Sequence, residues 1–150
     1  IGNIFYAKSY VINELNQKLD TLTFGPVSVL PEFQRKGAGT ALIRHTAELA
    51  RQKGYPAIII YGSPRNYCIH GFKNCKDFAI TTKEGRNPYS MLVLELQKEV
   101  FQGHSWKYYD SEVYNINDAE VEEYDRRFPH KAKEYSYTQE EFAIAIRAFL

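Results

Sequence analysis

Disulfide chemistry is all but absent from this chain, whose 150 residues hold two cysteines, Cys68 and Cys75. Two thiols build no disulfide framework and alone rarely make a zinc site, so no metal is expected. No run of apolar residues approaches the roughly 18 needed to cross a bilayer. Nor does a basic segment followed by an apolar one open the chain, so neither a membrane partner nor a secretory leader is expected. Net charge is also scarce: a formal +1 lacks the clustered excess of Lys and Arg that a nucleic-acid partner needs. Together these absences point to a reducing, cytoplasmic setting. The chain starts at Ile1 rather than Met, as a fragment would. What is present is ordinary for a single globular core, with 44% hydrophobic and 25% charged residues. Aromatics reach 15%, and many of the twelve tyrosines fall in the last third.

Periodicity organises the first two thirds. Residues 1–12 (IGNIFYAKSYVI) are β-branched and aromatic and predict a strand; 13–20 are polar and turn-like. Residues 21–30 (TLTFGPVSVL) predict a second strand, antiparallel to the first and stopped by Pro31. Gly25-Pro26 inside it cannot sit in a regular ladder and predicts a bulge or bend. Residues 37–53 predict a helix with Ala38, Ala41, Leu42, Ala47, Leu49 and Ala50 on its apolar side, ended by Gly54. The apolar run 57–61 (AIIIY) reads as a strand buried on both faces. Strand, helix, strand in that order predicts a right-handed crossover with 21–30 parallel to 57–61. A short helix at 65–69 ending at Gly71, and strands at 78–82 and 90–96, complete this part. The tail predicts two helices. One is capped by Asp118 and runs to Phe128; the other opens on a Thr138–Glu141 capping box and carries Phe142, Ile146, Phe149 and Leu150.

The chemistry is concentrated in the turn between the second strand and the long helix, Gln34-Arg35-Lys36-Gly37-Ala38-Gly39-Thr40. The first amides of a helix have no internal partner, and the helix dipole favours an anion beside them. Gly37 and Gly39 remove side chains that would hold a diphosphate away from the backbone, and Arg35 and Lys36 add positive charge at the rim. The same glycines would also suit a plain helix entrance, because short glycine patterns are common. A Walker loop is excluded, since no Gly-Lys-Ser/Thr ending follows. The dinucleotide fingerprint is excluded too, since its third glycine is missing.

The run GPVSVLPEFQRKGAGTALI resembles the signature region of the GCN5-related N-acetyltransferases (GNAT). Gln34, Gly37 and Gly39 match the family's Gln/Arg-x-x-Gly-x-Gly/Ala motif, after a strand ending in Val29-Leu30-Pro31. One helix and one strand downstream, Tyr67-Cys68-Ile69-His70-Gly71-Phe72 resembles its Tyr-x-x-Phe-Gly-Phe segment, with His70 in place of the usual Phe. The resemblance covers roughly residues 1–97 and implies an α/β chain built on an α+β mixed sheet. It is the acyl-CoA N-acyltransferase fold without its first strand and helices. Residues 98–150 would form a polar, tyrosine-rich helical extension packing on that core. The resemblance further implies acetyl-CoA as co-substrate, held in the gap between two splaying strands. Its pantetheine arm would pair with Val27, Ser28 and Val29. Its pyrophosphate would lie on the loop opened by Gln34, on the amides of Arg35, Lys36, Gly37, Ala38, Gly39 and Thr40. A small-molecule or peptide amine would attack the thioester directly, with Tyr67 as the acid that protonates the departing thiol. A non-catalytic coenzyme A sensor or scaffold of the same fold is the alternative.

No ionisable residue stands at Thr23 to Gly25, where some members place a base; Glu32, a tail residue, a water chain or a group upstream of Ile1 is left for that role. The tail, or a second copy in a homodimer, is expected to cover the sheet edge that the missing elements expose. Of the remaining residues, His70 is expected to pack or face solvent, and His45, His104 and His130 show no metal-ligand spacing. Cys68 is expected to be a small buried residue, and the acidic run 118–125 a solvated helix face. The Trp106-Lys107-Tyr108-Tyr109 cluster is expected to dock against the domain.

Overall fold

A computed structural model describes residues 1–132 and 134–150. Strands β1 (Gly2–Asn13) and β2 (Lys18–Val29) form a long antiparallel hairpin. The turn between them is shorter than the polar run suggested, because Asn13 gathers it: its Oδ1 accepts from the Leu15 and Gln17 amides at 3.1 and 2.8 Å. Helix α1 (Ala38–Gln52) follows, then β3 (Ala57–Tyr61), the short α2 (Pro64–Tyr67) and β4 (Lys73–Asn74). Strands β5 (Ile80–Thr82), β6 (Met91–Glu95) and β7 (Trp106–Tyr109) precede α3 (Asp118–Asp125) and α4 (Tyr137–Arg147). The seven strands make one mixed sheet in the order β4-β6-β3-β2-β1-β7-β5.

Two expectations hold in detail. Ile4 faces Val27 and Tyr6 faces Phe24, so Gly25 and Pro26 lie opposite the single residue Phe5 in a bulge. The crossover through α1 places β2 and β3 parallel, as the order of elements requires. Core side chains lie on both faces of the sheet. Ile43, Ala47 and Ala50 of α1 cover one face with Leu22, Phe24, Ile58, Ile60 and Phe72. Val11, Ile59, Met91, Val93 and Trp106 pack on the other with Phe101.

Several details differ from the sequence reading. On α1 the buried stripe is Ile43, Ala47 and Ala50, whereas Ala41 and Leu49 face solvent; the helix is rotated so that Ile43 meets the sheet. The segment 75–78 is a 3-10 turn, and β5 starts only at Ile80. Asn117, not Asp118, caps α3 by accepting the Ala119 amide at 3.0 Å, and α3 ends at Asp125. Ser136 and Gln139, rather than Thr138 and Glu141, form the capping box of α4, the Ser136 amide donating to Gln139 Oε1 at 3.0 Å. Phe149 and Leu150 lie beyond that helix, where the chain end turns back along residues 87–89.

The largest omission is β7. Trp106 and Tyr108 do dock, but as a strand paired with both β1 and β5. The Trp106 indole donates to the Phe101 carbonyl at 3.1 Å and is buried with it. Trp106→Phe removes that hydrogen bond and leaves a small cavity, and should cost about 1–2 kcal/mol in urea unfolding. An unchanged midpoint would show that this strand contributes little to stability.

Candidate active site

Parallel pairing between β2 and β3 is confined to one position, Leu22 opposite Ile58. From Thr23 to Val29 no β2 residue pairs with β3, although β2 stays paired with β1 as far as Gly2–Val29. The two strands therefore part toward their carboxyl ends, leaving one edge of Val27, Ser28 and Val29 without a neighbouring strand. Open α/β sheets bind ligands outside the carboxyl ends of parallel strands, where such a gap arises.

The loop after β2 ends beside that gap. A 3-10 turn at Pro31–Phe33 reverses the chain, and Gln34 Nε2 donates to the Val29 carbonyl at 2.9 Å, tying the loop to the strand. Arg35 has φ +57° and Gly37 φ +89°, so the backbone twice enters the left-handed region within three residues. Such alternation turns successive N–H groups toward one concavity and forms an anion nest. The first amide bonded back along α1 is that of Ala41, to the Gly37 carbonyl at 2.9 Å. The amides of Ala38, Gly39 and Thr40 accordingly have no partner within the helix. A Cβ on Gly37 would meet nothing within 4 Å, so the space before the nest is open. Arg35 and Lys36 are exposed at its rim, the Lys36 ammonium standing 5.8 Å from the Phe33 ring. Such a cradle of amides, open space and positive charge fits a diphosphate.

Tyr67 closes the gap from the β3 side. Its ring lies 5.8 Å from Phe24 and 5.8 Å from Phe72, and those two are 6.0 Å apart in an edge contact. This triangle fills the wedge where β2 and β3 diverge. Burial pushes the Tyr67 phenol above its ordinary value near 10, so it holds its proton throughout the neutral range. Gly62 forms its seat: a Cβ there would stand 2.8 Å from Tyr67 Cδ2. Gly62→Ala must therefore displace the ring.

Sequence reasoning singled out Gln34 to Thr40, Val27 to Val29 and Tyr67, and the fold brings all of them to the carboxyl ends of the same strand pair. It missed the supporting residues Phe24 and Gly62, and met Phe72 only as the end of a motif. The only signal for Gly62 was its place as a break after an apolar strand. Cys68 is exposed, contrary to the expected buried residue, because the 3-10 turn at Cys68–His70 directs it to solvent; the buried thiol is Cys75. His70 packs toward α1 with its Nδ1 buried, and burial lowers its pKa, with the Arg44 charge adding to the effect. No described helix is long and apolar enough to cross a membrane.

Comparison with known proteins points to the same family as the resemblance. Residues 6–71, from β1 through the nest to Gly71, match the model of the Acetyltransferase (GNAT) family. The uncharacterized N-acetyltransferase YjhQ of Escherichia coli (strain K12) is 31% identical over 75 residues, which are 50% of this chain and 41% of that protein. The GNAT family N-acetyltransferase YhbS from Escherichia coli, solved in complex with CoA, shares the fold. Its TM-score is 0.64 at 18% identity, over 77% of this chain and 63% of that one. The chain thus spans less than half the length of that curated relative and under two thirds of that solved structure.

Proposed function

We propose that this chain carries an acetyl-CoA-dependent N-acetyltransferase site acting on a primary amine. The observation that carries the reading is the unpaired β2 edge leading straight into a nest of bare amides, with Tyr67 across the gap. Val27, Ser28 and Val29 offer backbone groups to a strand-like arm, as an exposed sheet edge does for an added strand. The amides of Arg35 to Thr40, with the Gln34 side chain holding the loop in place, receive a diphosphate. Acetyl-CoA bound there would supply an acyl group activated as a thioester.

The remaining work falls to the chain's own residues. The wedge of Phe24, Tyr67 and Phe72 excludes water and orients the reacting carbonyl, so positioning supplies much of the acceleration. Tyr67 keeps a proton on its hydroxyl and gives it to the departing sulfur, which a phenol that is protonated at neutral pH can do. A coenzyme A sensor would need the nest but not a seated proton donor, which favours the enzyme reading.

Thermal denaturation with acetyl-CoA, coenzyme A and ATP tests the donor. Both coenzymes should raise the melting temperature more than ATP does, by several degrees at saturating concentration. If neither coenzyme shifts the transition, both the enzyme and the sensor readings fail. Thiol release from acetyl-CoA on a panel of primary amines then separates the two.

A further inference from the structure

A hollow of ≈ 350 Å³ is lined by residues of β1, β3, β5 and β7 and of the turn after β7. Tyr61, the last residue of β3, forms one wall, and Tyr108 of β7 lies 6.2 Å from it, ring to ring. Asp110 stands at the end of β7, where Tyr108 Oη donates to its Oδ1 at 3.0 Å and the Ser111 amide donates to the same oxygen at 2.8 Å. Glu84, Glu112 and Lys83 complete the charged lining. Lys83 is paired with Glu84 at 3.7 Å; among the described residues neither Asp110 nor Glu112 has an ion-pair partner.

Two links connect this hollow to the acetyl-transfer gap. Tyr61 is followed directly by Gly62, the seat of Tyr67. Tyr114 Oη donates to the Gly25 carbonyl at 3.2 Å, anchoring the 112–114 turn on the β2 bulge where the strands part. The Asp110 charge is felt by three phenols, Tyr61, Tyr108 and Tyr114, each raised first by burial and then by that charge. Tyr61 is pushed up to about 12. All three therefore remain neutral hydrogen-bond donors with intact π faces, and none competes with the carboxylate for a cation.

We propose that this hollow is the acceptor subsite and that it takes a primary amine carrying a second ammonium group a few carbons away, of the diamine or lysine-like class. This rests on the acetyl-transfer reading above. The attacking nitrogen must be uncharged, so a subsite of unneutralised carboxylates and aromatic faces suits another cation on the same molecule. That cation would sit beside the exposed Tyr61 ring with Asp110 as counter-ion. The free amine would then point through the parted strands toward the thioester. Its lone pair forms the new N–C bond, the C–S bond breaks, the sulfur takes the Tyr67 proton, and the amide nitrogen loses its extra proton to water.

Three four-carbon probes isolate the charge: 1,4-diaminobutane, butylamine and 4-aminobutanoate. They are measured as acetyl acceptors and, by calorimetry, as ligands of the coenzyme A-loaded protein. The diamine should exceed butylamine at least tenfold in kcat/KM and in affinity, with 4-aminobutanoate weakest. Asp110→Asn should reduce the diamine-to-butylamine ratio at least tenfold. Glu112→Gln, on an exposed residue without a fold-stabilising bond, should reduce it by a smaller factor. Diamine binding lost in Asp110→Asn supports the subsite even if acetyl transfer is never seen. Failure of both coenzymes to shift the melting transition counts against the acetyl-transfer reading instead. Equal use of the three probes, preference for the anion, or variants that weaken all three alike would overturn the proposal.

Discussion

Gly37→Val should weaken acetyl-CoA binding by at least 100-fold in a calorimetric titration. Two effects act together. At φ +89° a β-branched residue is strained by about 1–2 kcal/mol, so the loop tends to leave the nest conformation. The open space before Gly37, where a diphosphate would lie, is filled by the new side chain. A 100-fold loss corresponds to about 2.7 kcal/mol. Gly54 provides the control, since it has φ +83° at the other end of α1 and also faces open space. Gly54→Val should lose comparable stability and keep its acetyl-CoA affinity. If both variants bind alike, the nest is only a helix entrance.

Tyr67→Phe should lower kcat about 100-fold, at the modest end of what a positioned general acid contributes. Acetyl-CoA affinity should stay within about twofold, because the ring and its contacts with Phe24 and Phe72 are kept. The pH dependence has a definite sign. Burial raises the phenol above 10, so its acid form is full through the neutral range and is lost only as the pH climbs past that raised value. Wild-type turnover should therefore show no fall from this group below about pH 10. A variant with unchanged kcat would leave Tyr67 as a packing residue and move the proton donor elsewhere.

The parts of this site that lie in consecutive residues were readable from the sequence. Gln34 to Thr40 form a local turn whose glycines and helix start announce themselves, and Tyr67 follows a strand at a fixed interval. The bulge at Gly25-Pro26 was equally legible, because neither residue suits a regular ladder. What escaped was set by distant contacts. Gly62 matters only because Tyr67 folds back onto it, and Phe24 only because it meets Phe72 across the wedge. The β7 strand hid in a polar, tyrosine-rich stretch. Its two buried residues, Trp106 and Tyr108, alternate with exposed Lys107 over only four positions, too few for a clear period. The Asp110 hollow was invisible for the same reason, since its walls come from β3, β7 and the turn after it. At the helix ends, several Ser, Thr, Asn and Asp residues compete as caps. The choice of Ser136 over Thr138, and of Asn117 over Asp118, depends on where the preceding chain leaves each helix.

The central claim is that the amides following β2 receive the coenzyme's diphosphate while the free edge of β2 receives its arm. Residue-resolved amide hydrogen exchange with and without coenzyme A tests it most directly. Exchange should slow at Arg35 to Thr40 and at Val27 to Val29, and stay unchanged in β7, which lies on the far side of β1. Protection elsewhere with none at residues 35–40 would contradict the account.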